Sequence, residues 1–210
     1  MKQSELYHSP FNLPVIAAGL GFFVDAFDLF LFSIYRIQSL SELGLSGVAL
    51  KAEGERLLAI QMLGMMIGGV LTGIIGDKKG RAAVLFGSIL LYSLANIANA
   101  FVHDVDTYAF IRFLAGVGLA GELGAGITLV SESMTVERRG YGTILVATRG
   151  ALGAVFAGIA GDLVPWRDGF LTAGFAGLLL LLLRMKSLES SMFKMASKNQ
   201  TIGRGSFFYL

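Results

Sequence analysis

An all-α integral membrane fold, a bundle of six transmembrane helices, is what this sequence predicts, and three observations predict it. Charged residues make up only 15% of the 210 residues, against about 25% in ordinary soluble domains. Six long apolar runs follow one another, and roughly 20 apolar residues cross about 30 Å of hydrocarbon as a helix. Lysine and arginine gather in alternate connections, the bias that orients membrane helices.

The first run, Leu13–Ile34, is too long for a cleaved leader and too acidic, with Asp25 and Asp28 inside it. The second and third, Leu57–Ile75 and Ala82–Val102, meet in a turn with four charges in five residues, Asp77-Lys-Lys-Gly80-Arg81. Two helices that return into a membrane need such a polar joint at its face. The fourth run is Tyr108–Val130, the fifth Thr143–Val164 and the sixth Gly169–Leu183. The sixth is short, at about 22 Å by helical rise, so Arg184 and Lys186 are expected to snorkel to the interface. Residues 1–186 are read as the bundle and 187–210 as the start of a polar, basic cytoplasmic linker.

One side of the membrane would hold Lys2, Lys78, Lys79, Arg81, Arg138, Arg139, Arg184, Lys186, Lys194, Lys198 and Arg204. The other would hold only Arg36, Lys51, Arg56 and Arg167. Both termini are therefore expected in the cytoplasm, with the bundle in a plasma (inner) membrane. The net charge of +2 follows from this loop bias and gives no reason to invoke nucleic acid. Zero cysteines exclude disulfides and thiolate metal sites. No metal site and no cofactor are expected.

Small residues recur four apart: Gly64/Gly68 and Gly69/Gly73, Gly116/Ala120/Gly124, and Ala157/Gly161. Such spacing lets helix backbones approach within lipid, where van der Waals contact replaces the hydrophobic drive. Gly116-Val-Gly118-Leu-Ala-Gly121 also matches the dinucleotide-binding fingerprint, which requires a preceding strand and a βαβ unit. These glycines lie in the middle of an apolar helix, so no pyrophosphate cradle can form there.

Ionisable residues inside the runs carry the functional argument. Asp25 and Asp28 lie in the first, Arg112 and Glu122 in the fourth, and Arg149 in the fifth. A charge at the bilayer centre costs about 3 kcal/mol or more, so such residues face a bundle interior or wet cavity and pair with one another. Asp25 and Asp28 share a helix face. Arg112 and Glu122 lie about 15 Å apart along the axis and within roughly 80° around it. Burial disfavours an ionised carboxylate while a nearby guanidinium favours it, so a change in their separation moves a proton. The same guanidiniums could attract an anionic substrate. Gly73, Asp77, Gly80, Arg81, Glu132 and Arg139 are expected to build a second, interfacial charge cluster that locks one conformation. Asp77, at a helix C-terminus that disfavours acids, finds its nearest compensation at Arg81. No nucleophile–histidine–acid set exists, and His8 and His103 lie outside the runs, so an enzyme is not expected.

These residues resemble a family. Gly73-Ile-Ile-Gly-Asp77-Lys-Lys-Gly80-Arg81 is similar to the signature loop between helices 2 and 3 of the major facilitator superfamily, with Ala82 where a second base usually follows. Arg112-Phe-Leu-Ala-Gly116-Val-Gly118 resembles its helix 4 motif, and Pro165-Trp166-Arg167 its entry to helix 6. The resemblance covers residues from about 12 to 186. It implies one half of the twelve-helix major facilitator fold, with the substrate site between two six-helix halves. Gly19-Leu-Gly21-Phe-Phe-Val-Asp25-Ala-Phe-Asp28 looks like helix 1 of the phosphate–proton symporters, with Glu122 at the place of their helix 4 acid. Leu123 and Gly124 replace the aromatic and proline that follow it there. Gly121-Glu122, Glu132 and Arg139-Gly140 are equally similar to the metabolite–proton and organic-acid symporters. The resemblance thus implies proton-coupled symport of a small anionic metabolite, an organic acid or phosphate, by alternating access. Asp25, Asp28 and Glu122 would be the carboxylates of that pathway, with Arg112 and Arg149 as partners. The expected partners are the substrate, a proton, the lipid bilayer and a second six-helix half, either a missing C-terminal half or a second copy. A sugar-type facilitator and a non-transporting truncated membrane protein are the alternatives.

Overall fold

Six helices form where the six apolar runs lie. The computed structural model describes the backbone of residues 13–79, 81–133 and 139–198, and the side chains at 16, 19–76, 78, 83–121, 140–183 and 185. The helices are α1 (Leu13–Glu42), α2 (Gly47–Lys79), α3 (Arg81–Asn99), α4 (Val105–Ser133), α5 (Arg139–Leu163) and α6 (Trp166–Lys198).

Several helices outrun their apolar cores, and local chemistry says why. α2 starts at Gly47, ahead of Leu57, because its first turns are solvated by charge. Arg56 there bonds Glu53 at 2.8 Å and Asp106 of α4 at 3.0 Å. α1 runs on to Glu42 and stops in a Schellman cap. The N–H of Leu45 donates to Leu40 O at 3.0 Å and that of Gly44 to Ser41 O at 3.1 Å. Gly44 supplies the left-handed residue the cap requires, with φ of 90°. Asp104 caps α4, its Oδ1 accepting from the Thr107 N–H at 2.8 Å. That bond holds its carboxyl below the usual carboxylate range. Beyond Lys186, α6 continues to Lys198.

α1 and α4 occupy the centre. α1 packs mainly on α5 and also on α4 and α6, while α4 packs on α2 and α3. Small residues permit the closest approaches. A Cβ on Gly68 would lie 2.6 Å from Val117 Cα, and one on Gly64 would strike the Phe113 carbonyl. Reciprocally, Gly116 meets the Gln61 carbonyl and, at 3.1 Å, the Met65 nitrogen. Gly118 and Gly121 face α3 at Tyr92 and Ser88. The dinucleotide-like glycines are thus fully accounted for by helix packing. Gly69 and Gly73 behave otherwise than their spacing suggested, since both face open space. They sit on the side of α2 away from α4.

An aromatic core of Phe32, Tyr35, Tyr108, Trp166 and Phe170 fills the end of the bundle where α1, α3 and α5 finish. The outer faces are apolar, with Met66, Val70 and Ile74 exposed on α2 and Ile144, Val155 and Phe156 on α5. Among the described residues, three stretches are long and apolar enough to cross a membrane: Gly47–Gly76, Gly140–Leu163 and Trp166–Leu183. Ala83–Asn99 is a shorter apolar helix.

Candidate functional site

The central helices bring the intramembrane charges inward. Asp28 and Arg112 are both 0% exposed, and Asp25 is 7% exposed. Arg112 Nη2 donates to Asn96 Oδ1 of α3 at 2.6 Å. Its guanidinium carbon lies 4.7 Å from the Phe32 ring centre and 4.8 Å from that of Phe170. Two aromatic faces therefore support a buried cation, each through its quadrupole. Asp28 stands within electrostatic reach of Arg112, and the Asn96 amide lies beside it at the margin of hydrogen-bond distance. Yet among the described residues neither Asp28 oxygen accepts a hydrogen bond. Asn96 Nδ2, Arg112 Nε and Nη1, and both amide atoms of Gln61 are likewise unbonded. Each such buried polar group costs about 1–3 kcal/mol when left unsatisfied.

Toward the aromatic end, Ser39 Oγ and Tyr108 Oη share a buried hydrogen bond of 3.2 Å. Tyr35 Oη donates to the Ala160 and Val164 carbonyls at 3.1 and 2.9 Å. The Ala160 carbonyl also accepts from the Val164 N–H at 2.9 Å, so Tyr35 reinforces the last turn of α5 and meets the Val164 carbonyl just past it. A clamp closes that end of the bundle. Arg167 Nε and Nη2 donate to Glu42 Oε1 at 3.2 and 3.1 Å, and Nη1 donates to the Ala100 and Val102 carbonyls at 2.7 and 3.3 Å. Trp166 Nε1 donates to Glu42 Oε2 at 2.5 Å, and the Arg167 guanidinium lies 4.2 Å over the Trp166 ring. The Trp166 indole, together with Arg167, holds the Glu42 carboxyl below the usual range.

Of the sequence-predicted residues, Asp25, Asp28 and Arg112 thus converge on the interior. Arg149 of α5 is half-buried against α1 at Gly19, where a Cβ would lie 2.5 Å from its Cδ. Asp25 and Arg149 both have partners. Glu122 lies on α4 about 15 Å along the axis from Arg112, and its side chain lies outside the described residues. So do the side chains of Asp77, Arg81, Glu132 and Arg139, and Gly80 altogether. Of that proposed cluster only Gly73 is described, on an exposed turn of α2. Asn96 and the Glu42–Arg167 clamp were missed. A signal for Asn96 existed: Ser88, Tyr92, Asn96 and Asn99 recur at helical spacing along α3, and all four are buried.

The helical bundle thus combines lipid-compatible outer faces with an acid, an amide and a base buried at its centre. The chain belongs to the Major Facilitator Superfamily, whose family model matches residues 18–200. It is 30% identical over 176 residues to the niacin transporter of Acinetobacter baylyi, covering 82% of this chain and 39% of that protein. It is also 30% identical over 202 residues to the benzoate transport protein of the same organism, covering 91% of this chain and 42% of that protein. Among solved structures it matches the inward-open xylose transporter of Escherichia coli with a TM-score of 0.70 at 18% identity, covering 80% of this chain and 46% of that one. The chain spans less than half the length of these relatives. It is an integral, multi-pass membrane protein built on the fold of their six-helix halves.

Proposed function

We propose that this chain serves proton-coupled symport of a small anionic metabolite, an organic acid or phosphate, as the N-terminal half of an alternating-access transporter. The observation that carries the reading is Asp28, buried beside Arg112 without touching it. Burial and the neighbouring guanidinium act on such a carboxylate in opposite senses. A small displacement of Arg112 is then enough to load or release a proton. A sodium ion suits the site poorly, because it would lie beside a fixed positive charge in a medium of low dielectric.

Asp25, Glu122 and Arg149 form the rest of the pathway toward the opposite end, with Arg149 as the anchor for the substrate's negative charge. The relatives named for niacin and benzoate favour a carboxylate over phosphate. Both termini face the cytoplasm of a plasma (inner) membrane. Gly73, Asp77, Gly80, Arg81, Glu132 and Arg139 form the cytoplasmic cluster that holds one conformation. The opposing half of the cavity comes from a second six-helix unit, and residues 187–210 begin the linker toward it.

Uptake of labelled benzoate and nicotinate into proteoliposomes tests the reading. An inward proton gradient should drive accumulation, and a protonophore should reduce it to passive leak. Saturable uptake that only equilibrates the substrate and is indifferent to collapse of the gradient would favour the facilitator reading instead.

A further inference from the structure

We propose that Asp28, Asn96 and Arg112 hold a bound water molecule between them, which bridges the buried acid to the buried base. Three helices contribute to this point: α1 the carboxylate, α3 the amide and α4 the guanidinium. Asn96 is tied to Arg112 at 2.6 Å and lies against Asp28 just short of hydrogen-bond geometry, while Arg112 reaches Asp28 only through its field. All three are fully buried. Among the described residues, five of their polar atoms lack a hydrogen bond: Asp28 Oδ1 and Oδ2 as acceptors, and Asn96 Nδ2, Arg112 Nε and Arg112 Nη1 as donors.

The mixture of donors and acceptors selects the ligand. An anion would meet the Asp28 carboxylate, and a metal cation would meet the guanidinium. A neutral molecule that both donates and accepts suits both, and a buried water typically makes about three hydrogen bonds to such otherwise unsatisfied groups. Direct closure of Arg112 on Asp28 is opposed by two observed restraints. Nη2 is committed to Asn96, and Phe32 and Phe170 confine the guanidinium at 4.7 and 4.8 Å. Asn96 is therefore the positioning residue that keeps acid and base one water apart. The site itself stands on this geometry, and its role as the proton's last step rests on the transport reading above. In that step the water passes one proton to an Asp28 oxygen as it takes another from the pathway, so it stays neutral and no buried ion pair has to break.

The test is infrared difference spectroscopy of the lipid-reconstituted protein in ordinary and heavy-oxygen water. The native protein should show an isotope-sensitive O–H stretch of a weakly bonded internal water. Asn96→Leu, which fills the position with an apolar side chain of similar length, should lose that band. A native spectrum without the band, or a band of equal intensity in Asn96→Leu, overturns the proposal. Should Asn96→Leu fail to fold, a high-resolution electron-microscopy map of the native protein decides. Density within hydrogen-bond distance of all three side chains supports the water, and Asp28 in direct contact with Arg112 refutes it. Loss of proton-coupled uptake with the band intact would sink the transport reading alone.

Discussion

A guanidinium buried at bilayer depth with one hydrogen bond and two aromatic neighbours is stable only while its charge is answered nearby. Arg112 and Asp28 interact through their charges, and removing either leaves an uncompensated charge. Such removals cost about 3–5 kcal/mol when the remaining charge stays buried. Arg112→Leu is therefore expected to lower thermal stability strongly, and Asp28→Asn in the same chain should restore much of the loss. Thermal unfolding of the two singles and the double in detergent measures this. Strictly additive losses would mean that the two groups do not interact. Asp28 and Arg112 were legible in the sequence because formal charge inside an apolar run has few structural excuses. Asn96 was legible only as one member of the polar stripe Ser88, Tyr92, Asn96 and Asn99, and its link to Arg112 emerged only across the helix interface. The water-bridged arrangement, likewise, depends on distances between three helices, which no spacing along one helix encodes.

At the scale of elements, the clamp joins the last turn of α1, the end of α3 and the start of α6 through one arginine. Arg167 supplies donors to the Ala100 and Val102 carbonyls just past α3, where the helix dipole favours a cation. The Glu42 carboxyl is held below its ordinary value by the Trp166 indole and Arg167. A depressed carboxylate contributes stability above its unfolded value of about 4.3, and the contribution is lost as pH falls through the lower folded value. The native protein should therefore melt higher than Glu42→Gln at neutral pH, with the difference shrinking as the pH drops below about 4. A pH-independent difference would assign the effect to packing. This contact was invisible beforehand, since Glu42 and Trp166 lie 124 residues apart and each reads as an ordinary interfacial side chain.

The α2–α4 seam gives a second test at this scale. Gly64→Ala and Gly116→Ala place a methyl against backbone on the facing helix, and overpacking of that kind costs about 1–3 kcal/mol. Gly69→Ala points into open space and should be neutral or slightly stabilising, by up to about 1 kcal/mol through helix propensity. Melting temperatures in detergent separate the two classes, and equal effects at positions 64 and 69 would contradict the packing described. Spacing alone identified which glycines could face another helix. It could not say that the Gly64/Gly68 pair does so while the Gly69/Gly73 pair faces away.

For the whole molecule, six runs, their order and their approximate limits were readable because the bilayer imposes a fixed length and excludes charge. What escaped the sequence were the polar extensions, such as Gly47–Arg56 of α2, where Arg56 pairs with Glu53 and Asp106 at the exposed surface. The expected cytoplasmic cluster is a matter for function. Asp77→Arg and Arg139→Asp singly should each reduce transport, and the double reversal should recover a substantial part of it. Uptake assays on the three variants measure this, and a double no better than the singles would break the proposed pair.

The ring-flanked seat of Arg112 has a mechanical consequence. One ring belongs to α1 and the other to α6, so sliding either helix against the other shears the cradle sideways. The cation can follow only within the slot the rings leave, tethered at one end by the α3 amide. A displacement applied at the clamp, where α1 and α6 are also joined, would thus reach the carboxylate as lateral travel of the positive charge.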